Sequence, residues 1–209
     1  MNAEAQVERA RISEALDRLR TGHPGPRVSL GELLDALGER SFGLIVLVVA
    51  LPNGIPGPTV PGFSAISGIP LILIGSQLLR GWHEPRIPQG FRRRSVTLEG
   101  FKRFLDRALP RMRRVERWLR PRPSWLTGVG GGRLAGFAVM ALGIVLALPV
   151  PLGNLPVAWS LMALALGLLE EDSRALLLGL VLGALSIAWN ALVVLGGAAI
   201  FARLEVYFR

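Results

Sequence analysis

The sequence predicts an all-α integral membrane protein: two repeated, proline-broken helical hairpins of re-entrant type, a basic amphipathic interfacial helix between them, and a long C-terminal transmembrane helix. Three observations carry that prediction. An apolar run ending in Leu-Pro, a Pro/Gly stretch holding one Asn, and a second apolar run occur in that order twice, over residues 48–79 and 144–172. Residues 175–202 contain no charged side chain over 28 positions, where crossing a bilayer takes roughly 20. Residues 80–133 hold 15 of the 24 Lys and Arg against four acids, Glu84, Glu99, Asp106 and Glu116, the bias that the positive-inside rule places in the cytoplasm.

Composition narrows the function classes. The chain has 209 residues, 51% of them hydrophobic, and its mean hydropathy is +0.44, too apolar for a soluble domain with a polar surface. The net charge of +9 is therefore read as membrane topology facing anionic inner-leaflet lipid, and nucleic acid is not an expected partner. With no cysteine, thiol chemistry and Cys metal sites are excluded. His23 and His83 sit in Pro/Gly-rich loops and do not make a metal ligand set, so neither a metal nor another cofactor is expected. Residues 1–21 mix acids and arginines without an apolar stretch and do not read as a signal peptide.

Five segments follow along the chain. Residues 1–41 form amphipathic cytoplasmic helices. The first, over 3–20, carries Val7, Ile12, Ala15 and Leu19 at helical spacing and stops at the Gly/Pro cluster 21–26. A second begins near residue 30, where Ser29 and Glu32 have the spacing of a capping box. Residues 42–80 are the first broken hairpin. Its leading run of 42–51 is too short to cross a bilayer, 52–62 is too rich in Pro and Gly for helix, and 63–79 is helical with Pro70 inside. Both ends of this hairpin return to one side. Residues 81–133 are the basic linker. Over 92–120, Phe101, Phe104, Leu105, Leu109, Met112, Val115 and Leu119 fall at helical spacing among arginines, with a kink expected at Pro110. This helix lies in the headgroup region or packs on the cytoplasmic face of its own protein. Gly128 to Gly132 read as a flexible break. Residues 134–172 are the second broken hairpin, and 173–209 hold the terminal helix. There Gly179 and Gly183 have the spacing of a close helix contact or a dimer seam.

Few polar groups interrupt the apolar repeats, which makes each a candidate. Asn53, Pro52 and Ser64 in the first copy and Asn154, Pro149 and Ser160 in the second are the expected substrate-binding set, with Thr59, Ser67, Gln77, Ser186 and Asn190 nearby. A backbone break at membrane depth needs other protein or a wet cavity to satisfy it, and paired breaks in two halves of a chain point to a transporter-type site. The competing reading is structural: an Asn beside a proline can bond the carbonyls that the break frees. Glu170 and Asp172 are candidate coupling carboxylates, with a helix-capping turn as the plainer role for the Glu170–Asp172 cluster. Arg92, Arg93, Arg94, Arg113 and Arg114 are the expected lipid-headgroup contacts. No nucleophile–base pair, Walker-type phosphate loop or nucleotide-sugar domain is present, so no enzyme activity is expected.

The strings LGERSFGLIVLVVALPN (37–53), PGFSAISGIPLILIGSQLL (61–79), LALPVPLGNLP (146–156) and LALGLLEED (164–172), with Trp82, Pro85 and Pro88 between them, resemble the ExoD family of bacterial inner-membrane proteins associated with exopolysaccharide synthesis. The resemblance covers the chain from about residue 28 onward. It implies a multi-pass inner-membrane protein supporting exopolysaccharide production, with other biosynthesis proteins as partners, and no catalytic residues. Together the two lines of reading lead to transport or handling of an anionic or lipid-linked substrate, or of a coupled ion. The alternative is a non-catalytic scaffold or regulator that binds anionic lipid or a partner through the basic helix. A homodimer is expected, because few helices are long enough to enclose a cavity alone.

Overall fold

The computed structural model describes residues 12–55, 62–119, 121–122, 124–148, 150 and 153–207. Helix α1 spans Ile12–Gly22. Strand β1 (Arg27–Ser29) leads into α2 (Leu30–Leu37), and a 3-10 turn, Gly38–Arg40, leads into α3 (Ser41–Asn53). Then come α4 (Phe63–Leu79), the short α5 (Gln89–Arg92), strand β2 (Ser95–Thr97) and α6 (Leu98–Trp118). Helices α7 (Val129–Ala147), α8 (Asn154–Glu170) and α9 (Ser173–Tyr207) complete the chain.

The expected capping box is present. The Glu32 amide donates to the Ser29 hydroxyl, and the Glu32 carboxylate accepts from the Ser29 amide at 2.7 Å. The same contacts hold the Glu32 carboxyl below its ordinary pKa. One element is absent from the all-α reading: β1 and β2 pair antiparallel, Val28 opposite Val96. This ribbon takes residues 95–97 out of the predicted basic helix, which starts at Leu98. Gly130–Gly132, expected as a hinge, are the first turn of α7 instead. A side chain at Gly131 would collide with the Leu126 backbone 2.0 Å away, so glycine serves close packing there.

Five helices form the main body. Helix α4 lies antiparallel to α7 with the backbones in contact. A methyl group on Gly75 would lie 2.5 Å from the Met140 nitrogen, and one on Gly68 would lie 2.5 Å from the Gly143 oxygen. Helix α3 lies antiparallel to α8, with Gly43 against Leu169 and Gly54 against Met162, and α9 folds back along α8, with Gly179 against Leu164. Gly183 faces Leu142 of α7, so both glycines of that pair make contacts inside the chain. The core between these helices holds Phe42, Val46, Leu71, Leu142, Leu161 and Leu164.

These pairings put both hairpins side by side, each starting and ending at the same end of the bundle. That end, the mouth, carries Arg40, Glu171 and the short cap made by α1, α2, the ribbon and α6. The cap has its own core of Leu16, Val28, Leu37, Phe101, Leu105, Leu109 and Leu169. The apolar face of the basic helix is thus packed on its own protein, one of the two expected arrangements.

The outside of the bundle is apolar. Among the described residues, two helices are long and apolar enough to cross a membrane, Val129–Ala147 and the Ser173–Gly197 part of α9. Only 22% of the most apolar stretch of the latter is buried. Leu185 and Leu195 are 62% and 69% exposed, and Ile66 on α4 is 71% exposed. A soluble protein would bury such helices; these present leucine and isoleucine outward.

Candidate functional site

Polar side chains gather at two places, the far tip of the hairpins and the mouth. At the tip of the first hairpin, Asn53 is the last residue of α3 and is buried. Its side-chain amide donates to the Val49 carbonyl at 3.0 Å, and its oxygen accepts from the Ser64 hydroxyl at 3.0 Å. Pro52 lacks an N–H, which breaks the helical ladder at this point. Asn53 therefore closes the end of α3 and ties it to the start of α4, the structural role weighed for it above. Ser67 donates to the Phe63 carbonyl at 2.9 Å. The Trp159 indole, from α8, donates to the Gly54 carbonyl at 3.1 Å and so fastens the first tip to the second hairpin.

The tip of the second hairpin differs. Asn154, read from sequence as part of a loop, is the first residue of α8. Pro149 lies outside the described residues. Asn190, on α9, is 4% exposed and donates to the Gly153 carbonyl at 3.2 Å and the Ser186 carbonyl at 2.9 Å. The side-chain oxygens of Asn154 and Asn190 are both covered, and neither has a hydrogen-bond partner. Ser160, expected in the site, donates to the Val157 carbonyl in its own helix at 2.9 Å and does not face the tip. The sequence marked Asn190 as a polar interruption of an apolar helix; only the fold brings it to Gly153.

At the mouth, the carboxylates are engaged. Asp172 immediately precedes α9 and is 1% exposed. Its Oδ1 accepts from the backbone N–H of Arg174 at 2.8 Å and of Ala175 at 3.4 Å, and its Oδ2 accepts from Arg122 Nη1 at 3.0 Å. This is the helix-capping role, reinforced by an ion pair. Glu170 is buried in the last turn of α8. Glu171 has φ 52° and ψ 34°, a left-handed conformation that usually favours glycine or asparagine. Its carboxylate accepts from Arg40 Nε at 3.0 Å and Nη2 at 2.9 Å. Across the mouth Glu39 bonds His83 and holds its pKa above the ordinary imidazole value, first through the hydrogen bond and then through the carboxylate charge. Glu39, Arg40, Trp82, His83 and Glu171 line a cleft of about 440 Å³ that also meets the first turn of α7. Among the described residues no cluster of His, Asp and Glu has the makings of a metal site.

The expected headgroup arginines divide. Arg92 bonds Asp35 at 2.5 Å and Arg113 lies 3.6 Å from Asp17, so both hold the cap together. Arg93, Arg94 and Arg114 are exposed, and Arg94 sits over the Phe91 ring at 5.4 Å.

The architecture defines a helical protein with an apolar, membrane-type exterior and a charged cap at one end. The chain belongs to the ExoD family: the family profile described as "Exopolysaccharide synthesis, ExoD" matches residues 12–192. Among characterised and uncharacterised relatives, it is 29% identical over 177 residues to an uncharacterized protein of Synechocystis sp., covering 84% of this chain and 80% of the relative. It is 28% identical over 165 residues to Protein ExoD of Rhizobium meliloti, covering 77% of this chain and 68% of that protein. No solved structure matches.

Proposed function

We propose that this chain is a multi-pass inner-membrane protein that serves exopolysaccharide synthesis by moving or holding a lipid-linked intermediate, or an ion coupled to it, at the hairpin tips. The observation that carries the reading is the length of the first hairpin. Helix α3 has 13 residues, about 20 Å at 1.5 Å per residue, against a hydrocarbon core of about 30 Å. With the charged mouth at the cytoplasmic surface, Asn53 and its break end inside the apolar layer. The two hairpins then form a parallel pair of repeats, with polar tips at one level and α9 crossing the whole bilayer beside them. The arginines of the cap favour a cytoplasmic mouth.

Cysteine mapping tests this on a naturally cysteine-free chain. Single cysteines at Ile55 and Asn154 are expected to react with a membrane-impermeant thiol reagent from an aqueous side, and one at Arg93 from the cytoplasm. Protection of both tip positions, with Arg93 reactive, would place the breaks in lipid or packed protein and sink the transport reading.

The second reading, a scaffold or regulator, is favoured by the exposed Arg93, Arg94 and Arg114, which offer an anionic lipid surface or partner a site that the cap does not use. Under it, changing these three to Gln abolishes exopolysaccharide production while tip variants retain it.

A further inference from the structure

The side-chain oxygens of Asn154 and Asn190 are covered, and neither has a hydrogen-bond partner. Asn190 spends both amide hydrogens on the Gly153 and Ser186 carbonyls, which fixes its amide orientation and turns its oxygen toward Gly153. A methyl group on Gly153 would lie 2.1 Å from that oxygen. Gly153 caps α8 without a side-chain hydrogen bond, and the next residue supplies the second unpartnered oxygen. Each such acceptor costs about 1–3 kcal/mol when left unmet, and two of them, one beside Gly153 and one on the residue that follows it, mark a position that an occupant completes.

The surroundings select the chemistry of that occupant. Two carbonyl oxygens repel an anion. The positive end of the 17-residue helix α8 disfavours a cation. The first-turn N–H groups of Asn154 and Leu155 have no carbonyl one turn earlier in the helix, and Pro156 carries none to offer. A hydroxyl group meets both demands at once: it donates to an asparagine oxygen and accepts from a helix N–H. We propose that the start of α8, with Asn154 and Asn190, is a subsite for a neutral hydroxyl group of a carbohydrate. This rests on the transport reading above and narrows it, assigning the tip to the uncharged sugar part of a substrate and leaving any anionic part elsewhere.

The test uses the full chain in lipid nanodiscs and three probes with the same eight-carbon tail: octyl glucoside below its micellar concentration, octyl phosphate and octyltrimethylammonium. Tryptophan emission reports binding, since Trp159 and Trp189 flank the tip. Octyl glucoside is expected to bind saturably, and the two charged probes are not. Asn154→Leu is expected to weaken glucoside binding about tenfold, the size of one lost hydrogen bond, with an unchanged thermal midpoint. Asn154→Asp, which keeps an acceptor, retains binding. Asn190→Leu forfeits two backbone contacts and is read only where its midpoint stays within a few degrees of the parent. Saturable binding of octyl phosphate, glucoside binding indifferent to Asn154→Leu, or no saturable glucoside binding (the oxygens then being met by water only) would each overturn the proposal. A chain that transports but ignores glucoside loses this inference and keeps the transport reading. One that binds glucoside through Asn154 without flux loses the transport reading and keeps the site.

Discussion

The two breaks share a sequence pattern and differ in how their asparagines are used. In the first, Asn53 both donates, to Val49, and accepts, from Ser64, so nothing is left over. In the second, Asn190 donates twice, and the oxygens of both asparagines remain unmet. A repeated sequence pattern thus has one copy whose asparagine is partnered through both its polar atoms and one copy whose asparagine oxygens are not met. The shared Leu-Pro and Asn predict where the chain breaks; the neighbours supplied by other helices decide what the break does.

Substitutions at the two tips break or sharpen this contrast, and the largest effect is expected at the glycines beside them. Gly153→Ala places a methyl 2.1 Å from the Asn190 oxygen, held by two backbone bonds, whereas Gly54→Ala meets the flexible Met162 sulfur at 2.9 Å. Gly153→Ala is expected to cost about 2–3 kcal/mol and Gly54→Ala under about 1 kcal/mol, read as thermal unfolding in mild detergent. Equal losses would erase the distinction between rigid and yielding neighbours. Next come the asparagines. Asn53→Leu strands the Ser64 hydroxyl and is expected to lose about 1–2 kcal/mol. Asn154→Leu removes an acceptor that no protein donor meets and is expected to be neutral or slightly stabilising without ligand.

A smaller change is expected at the mouth. Glu171→Gly relieves a left-handed backbone worth about 1 kcal/mol and removes a half-exposed pair with Arg40 of similar or lesser worth, so the net shift lies within about 1 kcal/mol. The smallest is the pH response of His83 and Glu39, both well exposed. The folded pKa of His83 is raised above the ordinary imidazole value of 6.5, so the pair stabilises the fold fully below that value. Its contribution is lost as pH rises through the folded pKa. His83→Gln is expected to flatten that part of the stability profile and leave the rest unchanged.

Much of this architecture was legible because it depends on local rules. Pro70 lies inside α4 as expected, whereas α3 runs one residue past Pro52, into the stretch read as non-helical; the Ser29 and Glu32 spacing marked the start of α2, and the charge-free run became α9. The β1–β2 ribbon was not legible, since three-residue strands carry no period and depend on distant partners, as in Val28 opposite Val96 or the Arg27 guanidinium on Ser95, each 68 positions apart. Gly128 to Gly132 misled because glycine signals flexibility in isolation, and only the approach of Leu126 shows why no side chain fits at Gly131. Of the expected site, Asn53, Ser64, Ser160 and Asp172 have hydrogen-bond partners within the protein, whereas the Asn154 side-chain oxygen has none. Asn190 was visible as an anomaly, but its placement against Gly153 is a tertiary fact.

The seam between α4 and α7 has a mechanical consequence. Gly68 and Gly75 on one helix face Gly143 and Gly136 on the other, so both carry the same seven-residue interval. A slide by one residue drives a side chain into the opposite backbone, and the notches realign only after a full interval of about 10 Å. The pair behaves as a keyed shaft: it resists translation and transmits rotation.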